Sequence, residues 1–160
     1  MAEAKRISQE LDSMADALRA QLGESLWALV LFGSAARGDA IDSSDLDIFV
    51  VADSLPDRIT ARARLLRSLI PNPIVGRTSF IAKTRAEFEQ GFPSYYLDLA
   101  LDGIILFDRD RYMSSRLERI RSLIQDAGLI RLRTEYGFFW RWAKPPAGPW
   151  RIDWSGVYGL

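Results

Sequence analysis

The chain has 160 residues, of which 48% are hydrophobic and 26% are charged, and its 21 basic residues balance 21 acidic residues. It has neither cysteine nor histidine, which excludes disulfides, thiolate or imidazole metal ligands and imidazole acid–base chemistry. Any acid–base or metal chemistry must therefore use carboxylates, and the balanced charge gives no indication of a nucleic-acid partner.

The chain shows no signal for a membrane. No apolar run reaches the roughly 18 residues that a membrane-spanning helix needs. The N-terminal segment MAEAKRISQELDSM is charged and lacks the apolar core of a signal peptide. We therefore expect a cytoplasmic protein without a membrane partner.

The first third of the chain predicts one helix and two buried strands. Apolar residues recur at helical spacing over 3–22, and Gly23 follows as the end of this helix. The apolar runs at 26–32 and 46–52 are rich in residues that favour strands, so each predicts a strand of a buried sheet.

The middle of the chain predicts helices alternating with a strand. Residues 56–70 predict a helix with Ile59 inward and Arg62 on a solvated face. A strand is expected at 75–82. The sequence Thr84-Arg85-Ala86-Glu87 matches a capping box and predicts that a short helix begins there.

The remaining elements are a helix over 93–102, a strand over 104–108 and a helix whose N-terminus Asp110 is expected to cap. A hairpin is expected over 128–143, with its turn around Tyr136-Gly137. This order predicts an α+β fold, a mixed α/β sheet flanked by helices. We expect a domain over 1–127, with 128–160 as an aromatic hairpin extension packed on the same domain.

Residues 33–50 read GSAARGDAIDSSDLDIFV, and their carboxylates indicate a metal site. Asp45 and Asp47 are two positions apart at a predicted strand, so their side chains are expected on one face. Two carboxylates this close repel each other unless a cation lies between them. Mg²⁺ prefers oxygen ligands and is usually held by one or two carboxylates together with substrate phosphates.

The glycine and serine before these carboxylates indicate a phosphate site. Gly33 permits close approach of a phosphate to the backbone, and Ser34 is expected to cap a short helical turn whose free N–H groups bind anions. Arg37 adds positive charge, and Gly38 is expected to end the turn. Each piece alone is compatible with a plain turn, a strand edge or a surface charge. Together and in this order, they favour nucleotidyl transfer from a nucleoside triphosphate.

The same segment resembles the signature of the minimal nucleotidyltransferases of the DNA polymerase beta superfamily: Gly-Ser, Ala-Arg-Gly, a spacer, then Ser-Asp-Leu-Asp. The resemblance implies Mg²⁺ and ATP, and transfer of AMP to a hydroxyl of a protein or RNA. It also implies an antitoxin role, with a HEPN-fold toxin as partner or a homodimer. The implied metal ligands are Asp45 and Asp47, and the implied nucleotide-binding residues are Gly33, Ser34, Arg37 and Ser44.

The resemblance also implies a third carboxylate on the next strand, and this sequence departs from it. The corresponding position is expected to be Ser79, and no acid lies between Asp57 and Glu87. Asp98 and Asp102 are alternatives, although we expect them to cap a helix or to pair with arginines. A second hypothesis is therefore a nucleotide-binding module that has lost catalysis and acts through protein–protein contacts.

The C-terminal segment alternates aromatic residues with arginines, as in 138-FFWRW-142. Such a pattern is compatible with packing over the end of the sheet, with a protein interface or with stacking of nucleic-acid bases. We weight packing first and nucleic acid last, because the chain has no net positive charge.

Overall fold

A four-stranded mixed sheet lies between two layers of helices in the computed structural model of the chain, which describes residues 2–39, 45–71, 74, 76–135 and 137–159. Its strands are β1 (Leu26–Phe32), β2 (Leu46–Ala52), β3 (Thr78–Lys83) and β4 (Ile104–Asp108). Their spatial order is β3–β2–β1–β4. β2 runs parallel to β3, whereas β1 is antiparallel to both of its neighbours.

The helices are α1 (Ala2–Leu22), α2 (Gly33–Arg37), α3 (Ile59–Leu69), α4 (Arg85–Gln90), α5 (Tyr95–Asp102) and α6 (Tyr112–Ala127). Together with the mixed sheet they confirm the predicted α+β class. No helix in the described ranges is both long and apolar enough to span a membrane.

The central strands β1 and β2 are buried on both faces of the sheet, which explains why they read as nearly continuous apolar runs. On one face, α1 and α3 pack against the sheet through buried residues such as Leu18 and Leu66. On the other face, α4, α5 and α6 cover Phe49 with a cluster that includes Phe88 and Tyr96. This two-sided burial fixes the ends of β1 and β2, where the signature residues lie.

The predicted outward position of Arg62 and inward position of Ile59 are both wrong. Ile59 is 77% exposed, whereas Arg62 is only 5% exposed. Arg62 donates to both carboxylate oxygens of Glu87, at 2.6 and 2.8 Å, and to the backbone oxygen of Ala82 at 3.0 Å. A buried arginine is tolerated because these acceptors satisfy its guanidinium, a partnership that helical periodicity cannot indicate.

The predicted capping box is confirmed, whereas the predicted role of Asp110 is wrong. Thr84 and Glu87 exchange both capping hydrogen bonds at the start of α4. At α6, Asp108 accepts from the backbone N–H groups of Met113 at 2.7 Å and Ser114 at 3.0 Å. The last residue of β4 thus satisfies the free N–H groups of α6, because Asp110 lies in an intervening turn with φ 51°.

The C-terminal segment forms two hairpins, of which only the first was predicted. β5 (Leu129–Thr134) pairs with β6 (Gly137–Trp142), and β7 (Arg151–Asp153) pairs with β8 (Gly156–Tyr158). Trp154, between β7 and β8, donates to the backbone oxygen of Gly91 at 2.9 Å and contacts the Phe88 ring at 5.2 Å between centroids. This part of the aromatic tail therefore packs on the sheet domain, and the division at residue 127 stays a prediction.

Candidate nucleotide site

The signature turn, residues 33–38, follows β1 directly and contains the short helix α2. Gly33 has φ 74°, and a Cβ built on it would lie 2.4 Å from Oδ2 of Asp47. Only glycine fits this position, since a side chain would both strain the backbone and overlap the carboxylate. The turn that carries the predicted phosphate-binding residues is therefore in direct contact with the acidic motif.

The turn ends as expected but begins differently. Gly38 adopts φ 75°, and its N–H bonds back to the carbonyls of Ser34 and Ala35, which ends α2. The expected cap by Ser34 is wrong, because α2 begins one residue earlier and its N-terminus has no side-chain cap. Ser34 is half-buried inside the turn.

Asp47 is the second residue of β2, and Asp45 lies just before the strand with an exposed side chain. Burial and the neighbouring charge of Asp45 raise the pKa of Asp47, while the positive charge of Arg37 opposes the shift. The charges of Asp45 and Arg37 therefore both influence the ionisation of Asp47. Ser44, the remaining signature residue, lies outside the described residues.

The strand register places Ser79 beside Asp47. β2 and β3 are parallel, and Asp47 pairs with Ser79 in that ladder. Paired residues on neighbouring strands project on the same face, so Ser79 occupies the position expected for a third carboxylate. No group of three acidic residues able to hold a metal ion occurs within the described part of the chain.

The donor set fits Mg²⁺. It consists of carboxylate oxygens, and the sequence offers no thiolate or imidazole that would favour a softer metal. The raised pKa of Asp47 means that its negative charge is disfavoured without a compensating cation. Asp45 and Asp47 are therefore the residues that would hold the metal.

Asp98 and Asp102 pair with arginines, as expected. Arg131 of β5 donates to both oxygens of Asp102, at 2.6 and 2.8 Å, and to Oδ1 of Asp98 at 3.1 Å. Arg37 donates to Asp102 at 3.4 Å and to Asp39 at 3.2 Å. Asp102 thus joins the signature turn to the C-terminal hairpin, and its carboxylate is already shared by two arginines.

An aromatic ring from β6 lies over these arginines. The guanidinium carbons of Arg131, Arg37 and Arg133 lie 4.4, 4.9 and 5.6 Å from the centroid of the Phe138 ring. Trp140 donates to Oδ1 of Asp98 at 3.1 Å. We call Arg37, Arg131, Arg133 and their partners Asp39, Asp98 and Asp102 the arginine network.

Three members of the network, Arg37, Asp98 and Asp102, line a cavity of about 270 Å³ beside the signature turn. Its walls include Gly33 and Arg37 from the turn, Tyr95 from α5 and Phe138 from the hairpin. A larger cavity of about 600 Å³ lies at the other end of β1, around Gly23 and Arg109. Gly33 and Arg37 line the smaller cavity and no signature residue lines the larger one, so the smaller one is the candidate site. Asp45 and Asp47 are not among the residues that line it, and Asp47 meets this site through its contact with Gly33.

Sequence reasoning missed the involvement of Arg131, Tyr95 and Phe138. The alternation over 129–133 predicts that Arg131 and its even-numbered neighbours lie on opposite faces, but no pattern in the sequence indicates which side the sheet domain covers. Only the packing of β5 and β6 against α5 reveals that Arg131 meets Asp102.

The chain is similar to known proteins over most of its length. Residues 11–122 match the model of the nucleotidyltransferase domain family. A candidate protein adenylyltransferase of Methanocaldococcus jannaschii is 28% identical over 125 residues, which cover 76% of this chain and 85% of that protein.

Two solved structures share the fold. A toxin–antitoxin complex with AMP-PNP aligns with a TM-score of 0.53 and 18% identity, covering 71% of this chain and 86% of the matched chain. A mutant of the MntA–HpeT toxin–antitoxin aligns with a TM-score of 0.50 and 17% identity, covering 72% and 86%. Since the family model matches more than half of the sequence, from α1 to α6, this chain belongs to the nucleotidyltransferase domain family.

Proposed function

We propose that this protein transfers AMP from Mg–ATP to a hydroxyl group of a protein or RNA acceptor. The observation that carries the proposal is the contact between Gly33 and Asp47, which supports a site formed by the proposed phosphate-binding turn together with the acidic motif. The proposal assumes a cytoplasmic location, because ATP is the substrate.

In the proposed reaction, the acceptor oxygen forms a bond to the α-phosphorus of ATP. The bond from that phosphorus to the bridging oxygen breaks, pyrophosphate leaves, and the hydroxyl proton passes to water or to a base. Asp45 and Asp47 would hold Mg²⁺, which would supply positive charge for the phosphate oxygens. Gly33 leaves room for the Asp47 carboxylate against the turn, Arg37 would offset the charge of the triphosphate, and Ser34 and Ser44 are proposed to donate to phosphate oxygens.

Similarity to known proteins favours a protein acceptor. The M. jannaschii relative is assigned as a candidate protein adenylyltransferase, and the structural neighbour that contains AMP-PNP is a toxin–antitoxin complex. We therefore propose an antitoxin role in which a partner toxin, of the HEPN fold by family resemblance, is both the bound protein and the AMP acceptor. A homodimer is the alternative assembly.

Calorimetric titration with a non-hydrolysable ATP analogue, with and without Mg²⁺, tests the cleft first. We expect Mg²⁺-dependent binding by the native chain and its loss in Asp45→Asn/Asp47→Asn. A control variant, Asp57→Asn in the loop before α3, should bind like the native chain. Failure of the native chain to bind would reject the proposal for the isolated protein.

Transfer is tested with ATP labelled at the α-phosphate in a cell extract. Label that resists ribonuclease but is removed by protease identifies a protein acceptor, and the reverse identifies RNA. If Asp47→Asn left the incorporated label unchanged, Asp47 would have no part in the transfer.

The register of Ser79 favours a second candidate function. Because a serine stands beside Asp47 where a third carboxylate is expected, the domain would bind the nucleotide without transferring it and act through protein contacts. Ser79→Asp separates the two functions: a gain in transfer supports a decayed site. Ser68→Asp, which adds the same charge to the exposed face of α3, controls for charge alone.

A further inference from the structure

The first C-terminal hairpin, β5–β6, lies outside the region matched by the family model yet contacts the signature turn. That model ends at residue 122, whereas β5 begins at Leu129. Phe138 of β6 nevertheless lines the same cavity as Gly33. The hairpin is therefore part of the wall of the candidate nucleotide site in this chain.

The hairpin contacts the signature turn through three charged groups, Arg131, Asp102 and Arg37, which we call the relay. Asp102 sits between two arginines, with Arg131 at 2.6 and 2.8 Å and Arg37 at 3.4 Å. The side chain of Asp102 is 11% exposed and that of Arg131 is 15% exposed, so solvent screens this pair weakly. The short bidentate pair is the strong interaction, and the longer bond to Arg37 is the weaker one.

The relay controls how strongly Asp102 attracts Arg37. With Arg131 in place, most of the negative charge of Asp102 is offset, and Arg37 remains close enough to Asp47 to influence that carboxyl. Without Arg131, Asp102 would be left with Arg37 as its main cationic partner. Arg37 would then be drawn towards α5 and away from the phosphates that bind above Gly33.

We propose that Arg131 is a positioning residue of the nucleotide site, acting through Asp102 on Arg37. We rest this inference on the nucleotidyltransferase function proposed above. Phe138 supports the arrangement because its ring contacts both guanidinium groups, at 4.4 Å for Arg131 and 4.9 Å for Arg37. The hairpin would thus make nucleotide affinity depend on a segment outside the region that the family model matches.

The first measurement is the dissociation constant of the Mg²⁺-bound ATP analogue. We expect Arg131→Met to weaken binding about tenfold, which corresponds to about 1.4 kcal/mol. Arg131→Lys keeps the charge but loses the bidentate geometry, so it should weaken binding less. If Arg131 acts through Asp102, the double variant Arg131→Met/Asp102→Asn should bind the ATP analogue as tightly as Asp102→Asn alone.

Arg109→Met is the matched control. Arg109 is 21% exposed and pairs with Glu24 at 2.7 Å, but it also binds the backbone oxygen of Leu26 at the start of β1. The signature turn follows the opposite end of this seven-residue strand, about 20 Å away. The Glu24 side chain is 96% exposed, so this ion pair is weaker than that of Arg131, but the variant makes the same arginine-to-methionine change and should not weaken nucleotide binding.

A second measurement needs no nucleotide. The NMR resonance of the Arg37 Nε–H group should shift or broaden in Arg131→Met and stay unchanged in Arg109→Met. Thermal unfolding of each variant verifies that the fold is retained, and Arg131→Lys replaces Arg131→Met if the latter unfolds.

The two measurements separate the inference from the proposed function. If the native chain binds nucleotide and the Arg131 variants bind equally well, the inference is overturned while the function stands. If the native chain binds no nucleotide, the proposed function fails, and the Arg37 resonance alone decides whether Arg131 positions it. An unchanged resonance in Arg131→Met overturns the inference in either case.

Discussion

Gly33→Ala is the most direct test of the contact between the signature turn and the acidic motif. The added Cβ would lie 2.4 Å from Oδ2 of Asp47, whereas close carbon–oxygen contacts in proteins are about 3.3 Å or longer. The carboxylate must therefore move by roughly 1 Å. Since Asp47 is held in β2 between β1 and β3, the side chain can yield only by leaving its present rotamer.

Gly38→Ala supplies a matched control in the same turn. Gly33 and Gly38 have nearly equal φ angles, 74° and 75°, so both substitutions incur the left-handed backbone penalty of about 1–2 kcal/mol. No described atom lies within 4 Å of a Cβ built on Gly38, so that variant carries the backbone penalty alone. The difference between the two variants isolates the overlap with Asp47.

We expect Gly33→Ala to lower the free energy of unfolding by about 1–3 kcal/mol more than Gly38→Ala does. It should also abolish Mg²⁺-dependent binding of the ATP analogue, because the displaced carboxylate no longer faces the turn. Denaturant unfolding and calorimetric titration of both variants give the two measurements. Equal destabilisation and equal nucleotide affinity would refute the contact and the site built on it.

Three further predictions concern stability. Hydrogen bonds from Arg62 lower the pKa of Glu87 to about 2. The stability that this ionised carboxylate contributes should therefore be complete above about pH 4.5 and lost towards pH 2. Denaturant midpoints should fall over this range more steeply in the native chain than in Glu87→Gln. Burial and a neighbouring aspartate raise the pKa of Asp47, so its ionisation destabilises the fold as pH rises. At pH 7, Asp47→Asn should therefore unfold at a higher denaturant concentration than the native chain. An unchanged or lower midpoint would contradict this reasoning. Trp154→Phe removes a donor to two backbone carbonyls and should lower the free energy of unfolding, measured by thermal denaturation, by about 1–2 kcal/mol. Trp150→Phe should change it little, because the Trp150 side chain is 47% exposed.

The elements of the sheet could be predicted from the sequence because their signals are local. β1 and β2 occupy the predicted ranges, since apolar runs bounded by polar residues indicate buried strands. The third strand begins at Thr78, three residues later than expected, and α3 is shorter at both ends than predicted. Such ends depend on capping and on packing against neighbours, which periodicity does not report.

The buried Arg62 and the capping Asp108 show where local patterns fail. Arg62 lies 25 positions from Glu87 in the sequence, and its burial is tolerated only because the fold brings that acceptor to it. Asp108 is the last residue of β4, so its role depends on how closely α6 follows the strand. Both roles arise from the environment, whereas the sequence reports only residue type and spacing.

The sequence alone determined the α+β class and the candidate residues of the signature, because glycine, serine and paired aspartates at fixed spacing reflect local chemical requirements. It also indicated Ser79 as the expected position of a third carboxylate, and the structure adds that Ser79 pairs with Asp47 in the parallel ladder of β2 and β3. Only the tertiary structure decided that Phe138 lines the candidate site and that Arg131 binds Asp102 in its wall. Arg131 meets Asp102 across 29 positions of sequence, and contacts between distant segments are decided by packing, which local pattern does not encode.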